Sequence, residues 1–152
     1  MILNLGCGLR KEQWPPNSDG LDKFDFGQKY IWDLERIDKP WPIHTNEYAE
    51  IWMFHLFEHI AAPAACINIL NEIWRVGKPG AVFKGAAPHY IRSKNFTRDF
   101  YHIREISEHT FDAYLEGSTI HFNDYGVKCL FRKREIYVDA NQDVQWVLEI
   151  VK

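Results

Sequence analysis

Two closely spaced glycines follow the first apolar segment of the chain, and their position indicates a ligand-binding turn. The sequence begins ILNLGCG, so the apolar run Ile2–Leu5 leads directly into Gly6, Cys7 and Gly8. A glycine lets the backbone turn sharply and lets a ligand approach without a Cβ in the way. A plain tight turn has the same sequence, so the glycine pair alone leaves both interpretations open.

This turn fits neither of two common phosphate-binding motifs. A dinucleotide fingerprint needs a third glycine where the chain has Lys11, and it needs a crossover helix that Pro15 and Pro16 leave no room for. A P-loop needs the sequence GK[ST], which does not follow the glycines. NAD, FAD and a P-loop nucleotide are therefore disfavoured as ligands.

Two histidines in the second half of the chain are candidates for acid–base chemistry. His89 follows Pro88 at the end of an apolar segment, and we expect its side chain at the rim of a pocket. His102 lies on a segment expected to fold over that rim. An imidazole titrates near neutrality and can take a proton from an attacking hydroxyl. The alternative is that His89 only fixes a polar surface loop.

Composition and charge narrow the function classes. The three cysteines, Cys7, Cys66 and Cys129, are widely spaced and outside any CxxC pattern, so neither a disulfide framework nor a metal site is predicted. The formal net charge of -3 disfavours a protein held to nucleic acid mainly by phosphate contacts. No apolar run approaches the ~18 residues of a membrane span. One cytoplasmic domain over residues 1–152 is the expectation.

The elements that must position these residues alternate between strands and helices. Apolar runs predict strands, helical spacing and a capping pattern predict helices, and Tyr90–Asn95 is expected to be loop. The predicted strands are Ile2–Leu5, Gly20–Phe24, Lys29–Trp32, Tyr48–Phe54, Ala81–Ala87, Val127–Val138 and Val144–Val151, and the predicted helices are Pro63–Val76 and Ser107–Leu115. This order predicts an α/β fold, a three-layer Rossmann-like sheet that is mostly parallel with an antiparallel C-terminal hairpin and reduced helices near the N-terminus.

Five sequence blocks in order carry a resemblance to a known family. The blocks are ILNLGCG, GLDKF, IWDLE, AEIWMFHLFEHI and LNEIWRVGKPGAVFKGAAPH, and they span roughly residues 1 to 90. Together they resemble the class I S-adenosylmethionine-dependent methyltransferases, in particular the small subgroup that reads LNLGCG, HxLEH and RVLKPGG. The chain departs from that pattern at Asn4, Arg10 and Gly77, where the family commonly has an acidic residue, a glycine and a leucine.

The resemblance implies a site for S-adenosylmethionine. The glycine turn would hold the methionine part, Asp22 the ribose hydroxyls, and Asp33 the exocyclic amine of an adenine that packs on Leu34. His55 would lie beside the transferable methyl group. The candidate cofactor-binding residues are Asn4, Gly6, Cys7, Gly8, Asp22, Lys23, Asp33, Leu34 and His55.

Each of these roles has a structural alternative. Asp22 can be a solvated turn carboxylate, and Asp33 can cap a local turn. Arg10 can reach the cofactor carboxylate or can simply be solvated. Glu58 and His59 are expected to serve structure, by capping and orienting the start of the following helix.

The residues after the fourth predicted strand narrow the class of methyl acceptor. The Asn/Asp-Pro-Pro-Tyr/Phe motif of amino-directed nucleic-acid methyltransferases is absent there, where His55-Leu56-Phe57-Glu58 stands. His, Arg and Tyr side chains concentrate in Pro88–Lys94 and Arg98–Arg104, which suits a small-molecule or sugar-like acceptor methylated at oxygen.

Two other functions stay open. The small size and the reduced helices favour a non-catalytic adenosylmethionine-binding module or a subunit of a larger methyltransferase assembly. An RNA-directed enzyme is disfavoured by the net charge, and its candidate contacts are Arg92, Lys94, Arg98 and Arg104.

Overall fold

The computed structural model describes residues 1–120 and 125–152. Seven strands and two α-helices of five or more residues form the described part of the chain. They are β1 (Ile2–Leu5), β2 (Ser18–Asp22), β3 (Tyr30–Ile31), β4 (Tyr48–Phe54), α1 (Pro63–Val76), β5 (Gly77–Pro88), α2 (Lys94–Arg98), β6 (Phe131–Val138) and β7 (Asp143–Ile150).

All seven strands belong to one sheet, in the order β3-β2-β1-β4-β5-β7-β6. Strands β1 to β5 pair in parallel, and β7 pairs antiparallel with both β5 and β6. The strand order reverses between β1 and β4, where β1 has the earlier strands on one side and the later ones on the other. The predicted Rossmann-like sheet with an antiparallel C-terminal hairpin is therefore confirmed.

Most strand boundaries differ from the prediction by one or more residues, and two of these differences have identifiable reasons. Strand β2 ends at Asp22 rather than Phe24 because the Asp22 carboxylate accepts a hydrogen bond from the Phe24 amide, which turns the chain. Strand β6 begins at Phe131 rather than Val127. The amides of Lys128 and Cys129 donate to the Asn71 side chain of α1, so they are not available to a sheet.

The predicted helix over Ser107–Leu115 is wrong. The structure has turns there, with a single 3₁₀ turn at Asp112–Tyr114. The Ser107 amide donates to the Thr110 hydroxyl and the Ser107 hydroxyl accepts from the His109 amide, and such side-chain bonds compete with helical ones. The predicted loop at Tyr90–Asn95 ends two residues early, because α2 starts at Lys94.

The hydrophobic core lies on one face of the sheet. Alternation along the paired strands places Leu3, Ile51 and Phe83 on that face, and all three are buried. Helix α1 buries Ile69 and Ile73 in the same cluster. The crossover helix between β4 and β5 therefore covers the middle of this face.

The opposite face of the sheet is largely open. The segments that follow β1 and β2 lie within residues 6–29, all of which the structure describes, and they contain no helix longer than the three-residue turn Lys11–Gln13. Trp52 is only partly buried there and Phe54 is exposed. The Lys84 ammonium lies 4.2 Å from the centre of the Trp52 ring and forms an ion pair with Glu50. The predicted reduction of helices near the N-terminus thus leaves an aromatic patch on the sheet.

Candidate functional site

A cavity of about 600 Å³ opens at the carboxyl ends of β1 and β2. Ligands bind in open α/β sheets at this edge, where the strand order reverses. Its walls come from both halves of the chain: Gly6, Gly8, Asp22, Lys23, Phe24, Phe26, Trp32, Asp33, Leu34, Glu35, Leu56, His59, Ile60, Ala61, Tyr101 and Ile103.

The glycine turn forms one wall and requires glycine at both positions. Gly6 and Gly8 each have a φ of 61°, a left-handed conformation that side chains disfavour. A Cβ on Gly6 would lie 2.6 Å from Leu56 Cδ2, so this turn and the segment after β4 approach each other closely. The Gly6 amide donates to the Leu21 carbonyl at 2.8 Å, which ties the turn to β2.

Asp22 connects the glycine turn to the turn after β2. Its Oδ2 accepts from the Gly8 amide and its Oδ1 from the Phe24 amide, both at 3.1 Å. A carboxylate has about four acceptor positions, so two stay available on a side chain that lines the cavity. Asp22 is therefore a turn carboxylate that also offers acceptor positions to the cavity.

The segment after β3 forms the next wall. The Asp33 Oδ1 accepts from the Glu35 amide at 3.0 Å, so Asp33 does cap a local turn, and it also lines the cavity. Leu34 is buried beside it. The Trp32 ring contributes an aromatic surface, and the Arg36 guanidinium lies 4.9 Å from its centre. A flat apolar ring with polar edges fits these neighbours.

Glu35 holds the start of α1, a role that the sequence pattern assigned to Glu58 and His59. The Glu35 Oε1 accepts from the amides of Ala61 and Ala62 at 2.7 and 3.4 Å. Both amides precede the first helical residue, Pro63, so this contact fixes the segment that leads into the helix. No local sequence signal links positions so far apart in the chain.

Three candidate cofactor residues do not line the cavity. Asn4 is buried in β1, and Cys7 is buried with its Sγ against Gly20. Burial, together with the nearby Asp22 carboxylate, raises the pKa of the Cys7 thiol to about 11. The third residue, His55, follows β4.

His55 lies between two carboxylates. Its backbone has a φ of 49°, and its ring nitrogens are 3.6 Å from Glu58 Oε1 and 3.7 Å from Asp143 Oδ2. The Glu58 carboxylate raises the pKa of His55, against the opposing effect of burial, and Asp143 adds to the increase. Its contacts are thus with two acidic residues that do not line the cavity.

His89 does not emerge at the rim of the cavity as expected. The side chain is 4% exposed, and its Nδ1 accepts from the amides of Ile91 and Arg92. The Nε2 is 3.0 Å from Glu108 Oε2, and it must carry the proton because Nδ1 acts as an acceptor. Both nitrogens therefore fix the loop after β5, which was the structural alternative.

His102 lies between two residues that line the cavity, Tyr101 and Ile103. The amides of Ile103 and Arg104 donate to the Glu58 carbonyl at 2.9 Å each, and Tyr101 and Ile103 line the cavity. The His102 ring packs against His59, with ring centres 4.6 Å apart. His102 therefore does not line the cavity itself but packs against a residue that does, His59.

The basic residues considered for RNA are in part committed to the fold. The Arg104 guanidinium donates to the carbonyls of Ile60 and Ala61, and Arg92 pairs with Glu108 at 3.1 Å. These contacts leave less of the positive charge free for a phosphate backbone.

Several lining residues were not predicted from the sequence, because they reach the cavity only through the fold. They are Phe24, Phe26, Trp32, Glu35, Leu56, His59, Ile60, Ala61, Tyr101 and Ile103. Phe24, Phe26 and Trp32 lie close to Asp22 and Asp33 in the sequence, and this proximity is the signal that could have found these three.

Several solved structures with a similar fold are S-adenosylmethionine-dependent methyltransferases. One from Aquifex aeolicus is 17% identical, with 99% of this chain and 81% of that chain covered, at a TM-score of 0.61. The 1,6-didemethyltoxoflavin-N1-methyltransferase of Burkholderia thailandensis, solved with S-adenosylhomocysteine, is 9% identical over 99% and 71% of the two chains, with a TM-score of 0.64.

A third similar structure comes from the complex between the Haloferax volcanii Trm112 methyltransferase activator and its partner methyltransferase. It is 15% identical, with 99% of this chain and 81% of that chain covered, at a TM-score of 0.56. No protein-family model and no curated protein sequence matches the chain. At these identities the likenesses establish the fold. No helix in the described ranges is long and apolar enough to cross a membrane.

Proposed function

We propose that this protein binds S-adenosylmethionine and transfers its methyl group to an oxygen of a small-molecule or sugar-like acceptor. The observation that carries the proposal is the connection of Gly6, Gly8 and Asp22 at one cavity. The two glycines leave the backbone accessible to a ligand, and the Gly8 amide holds the Asp22 carboxylate in place at the edge of the sheet where ligands bind. The five sequence blocks and the likeness to solved methyltransferases support it.

The wall residues divide by chemistry. The turn at Gly6 and Gly8 would hold the methionine part, and the free acceptor positions of Asp22, next to Lys23, would receive the ribose hydroxyls. Leu34 and Asp33 would contact the face and the amine edge of the adenine. Asn4, Cys7 and His55 do not line the cavity and would not contact the cofactor directly.

The acceptor side has the residues that alignment requires. When bound, S-adenosylmethionine supplies a methyl carbon on a positively charged sulfur. Tyr101 and Ile103 line the cavity, and the chain's main task would be to align an acceptor oxygen with that carbon. The oxygen lone pair forms the new bond, the carbon–sulfur bond electrons return to sulfur, and the acceptor proton leaves.

Of the two histidines predicted to act as the base, His102 has the better position. It is 11% exposed and packs on the cavity residue His59, whereas the ring nitrogens of His89 already have partners. The proton of an acceptor hydroxyl would pass to the His59 and His102 pair.

A screen with methyl-labelled S-adenosylmethionine tests this function. Pools of hydroxylated metabolites and sugars are incubated with the protein, and labelled products are isolated. We expect transfer to a hydroxylated small molecule, and about tenfold or greater loss of it in Asp22→Asn. Binding of the cofactor without transfer to any pool would favour a second candidate function.

The second candidate is a non-catalytic adenosylmethionine-binding module or a subunit of a larger methyltransferase assembly. The open sheet face favours it, because Phe54 is 38% exposed beside a partly buried Trp52. The Haloferax methyltransferase is in a complex with an activator, which is a precedent within this fold. Trp52→Ser with Phe54→Ser would abolish assembly in that case and leave cofactor affinity unchanged.

A further inference from the structure

Three side chains at the acceptor end of the cavity can act as metal ligands. The carboxylate of Glu58 and ring nitrogens of His59 and His102 all lie within 4.8 Å of one another. A tetrahedral ion with bonds of about 2.0–2.1 Å holds its ligands about 3.4 Å apart. Small side-chain rotations span that difference.

The strongest indication is the state of the Glu58 carboxylate. The residue is 0% exposed, and within the described ranges neither carboxylate oxygen has a hydrogen-bond partner. The nearest basic group, His55 Nδ1, is 3.6 Å from Oε1. A buried carboxylate is costly unless it is paired or coordinates a metal. The fold therefore keeps an acceptor in place that its own donors do not satisfy.

His102 also presents an unpartnered nitrogen. Its Nδ1 is buried without a hydrogen-bond partner in the described part of the chain, while its Nε2 is 3.6 Å from Asp99 Oδ2. Metal-bound histidines commonly direct their second nitrogen at a carboxylate, which orients the ring. The Phe96 ring, 6.0 Å from the imidazole, adds an apolar neighbour.

The backbone holds the ligands together. Glu58 and His59 are consecutive in the 3₁₀ turn Phe57–His59 after β4. The Glu58 carbonyl accepts from the amides of Ile103 and Arg104, which follow His102 directly. Two segments more than forty residues apart are thus joined beside the three side chains.

We infer that Glu58, His59 and His102 bind one divalent transition-metal ion at the acceptor end of the cavity. Two imidazoles and one carboxylate suit Zn²⁺, Co²⁺, Mn²⁺ or Fe²⁺ better than Mg²⁺ or Ca²⁺, which prefer oxygen ligands. Three protein ligands leave a coordination position open on the cavity side, where His59 lies. The prediction of no metal site was based on the spacing of the cysteines, so it did not consider histidine and carboxylate ligands.

The role of the ion rests on the proposed function, although its binding does not. An acceptor hydroxyl in the open position would lose its proton to solvent more readily, because a bound cation lowers the pKa of a ligating oxygen. The resulting oxygen lone pair would bond to the methyl carbon as the carbon–sulfur bond breaks toward sulfur. His102 would then act as a ligand rather than as the base.

Titration of metal-free, tag-free protein with Co²⁺ tests the site without any activity. We expect one equivalent to bind, with visible absorption of four- or five-coordinate Co²⁺. The melting temperature should rise by about 5 to 10 °C at a hundredfold excess over Kd. His59→Gln and His102→Gln should each raise the Kd at least about tenfold. Absence of Co²⁺ binding to the folded wild type, or tighter binding of Mg²⁺, would overturn the inference.

Two further variants separate ligation from folding. Glu58→Gln keeps the size and shape of the side chain but removes the anionic ligand, so the protein should still fold and should lose the Co²⁺-dependent increase in melting temperature. His109→Gln is the matched control, since His109 is an exposed histidine 3.0 Å from Asp112 and outside the cluster. Equal loss of Co²⁺ binding in His109→Gln, or full binding in Glu58→Gln, would contradict the assignment. Calorimetry with S-adenosylhomocysteine on the same samples reports separately on the proposed function.

Discussion

The Asp22 carboxylate accepts a hydrogen bond from the Gly8 amide at 3.1 Å, across two neighbouring parallel strands. This bond joins the turn after β1 to the end of β2 at the point where the cavity opens. A change in the carboxylate therefore affects the shape of the glycine turn as well as the acceptors offered to a ligand.

Replacement of Asp22 by Asn should weaken S-adenosylhomocysteine binding by about 1 to 3 kcal/mol, the usual effect of losing hydrogen bonds to a charged group. The amide keeps only one acceptor oxygen, so one of the Gly8 and Phe24 amides also loses its partner. Isothermal titration calorimetry measures the affinity. Asp25→Asn is the matched control, because Asp25 caps the Gly27 amide in the same way outside the cavity wall. Equal affinity in the two variants would remove Asp22 from the binding site.

Gly6→Ala should destabilise the fold by about 1 to 3 kcal/mol. A new Cβ adds strain at a φ of 61° and a clash with Leu56 Cδ2 at 2.6 Å. Urea unfolding measures the free energy. Gly80→Ala measures the backbone strain without a clash, since Gly80 has a φ of 75° and open space around its Cβ position. We expect Gly6→Ala to cost more than Gly80→Ala, and Leu56→Ala to reduce that difference; equal costs would exclude the close approach.

Acid should destabilise the protein partly through Asp19. Although partial burial raises its pKa, hydrogen bonds from Lys29 at 2.7 Å and Tyr48 at 2.6 Å produce a net lowering. A carboxyl with a lowered folded pKa adds stability above its unfolded pKa of about 3.9, and that contribution is lost as the pH falls through the folded value. The melting temperature of wild type should therefore fall more steeply below about pH 4 than that of Asp19→Asn. The same pH dependence of the melting temperature in the two proteins would show that Asp19 does not form these bonds with Lys29 and Tyr48.

His89→Ala should act on stability rather than on cofactor affinity. It leaves the Ile91 and Arg92 amides without their acceptor, at a cost of about 1 to 3 kcal/mol in the free energy of unfolding. Calorimetry with S-adenosylhomocysteine should give an unchanged affinity, since His89 does not line the cavity. A normal unfolding free energy with reduced methyl transfer would instead support the catalytic role predicted from the sequence.

The sequence predicted the elements whose signals are local. Strands β1 and β4 and helix α1 have the predicted bounds, because apolar runs and helical spacing in those segments agree with their final packing. The capping pattern at Ser107 failed because its side-chain bonds close turns instead of starting a helix.

The candidate site was predictable where a residue lies at the end of a strand or within a few residues after it. Gly6, Gly8 and Asp22 reached the cavity for that reason. The bond from Glu35 to the start of α1 and the packing of His102 on His59 join distant segments, so no local pattern announces them. His89 is at the expected strand end, but its nitrogens bond to the loop that follows it.

Calorimetric titration of the wild-type protein with S-adenosylhomocysteine tests the central claim most directly. We predict one site with a micromolar Kd, about -8 kcal/mol, and no measurable binding of NAD under the same conditions. Absence of binding to protein that is folded by circular dichroism, or binding of NAD in its place, would contradict a cofactor site built on Gly6, Gly8 and Asp22.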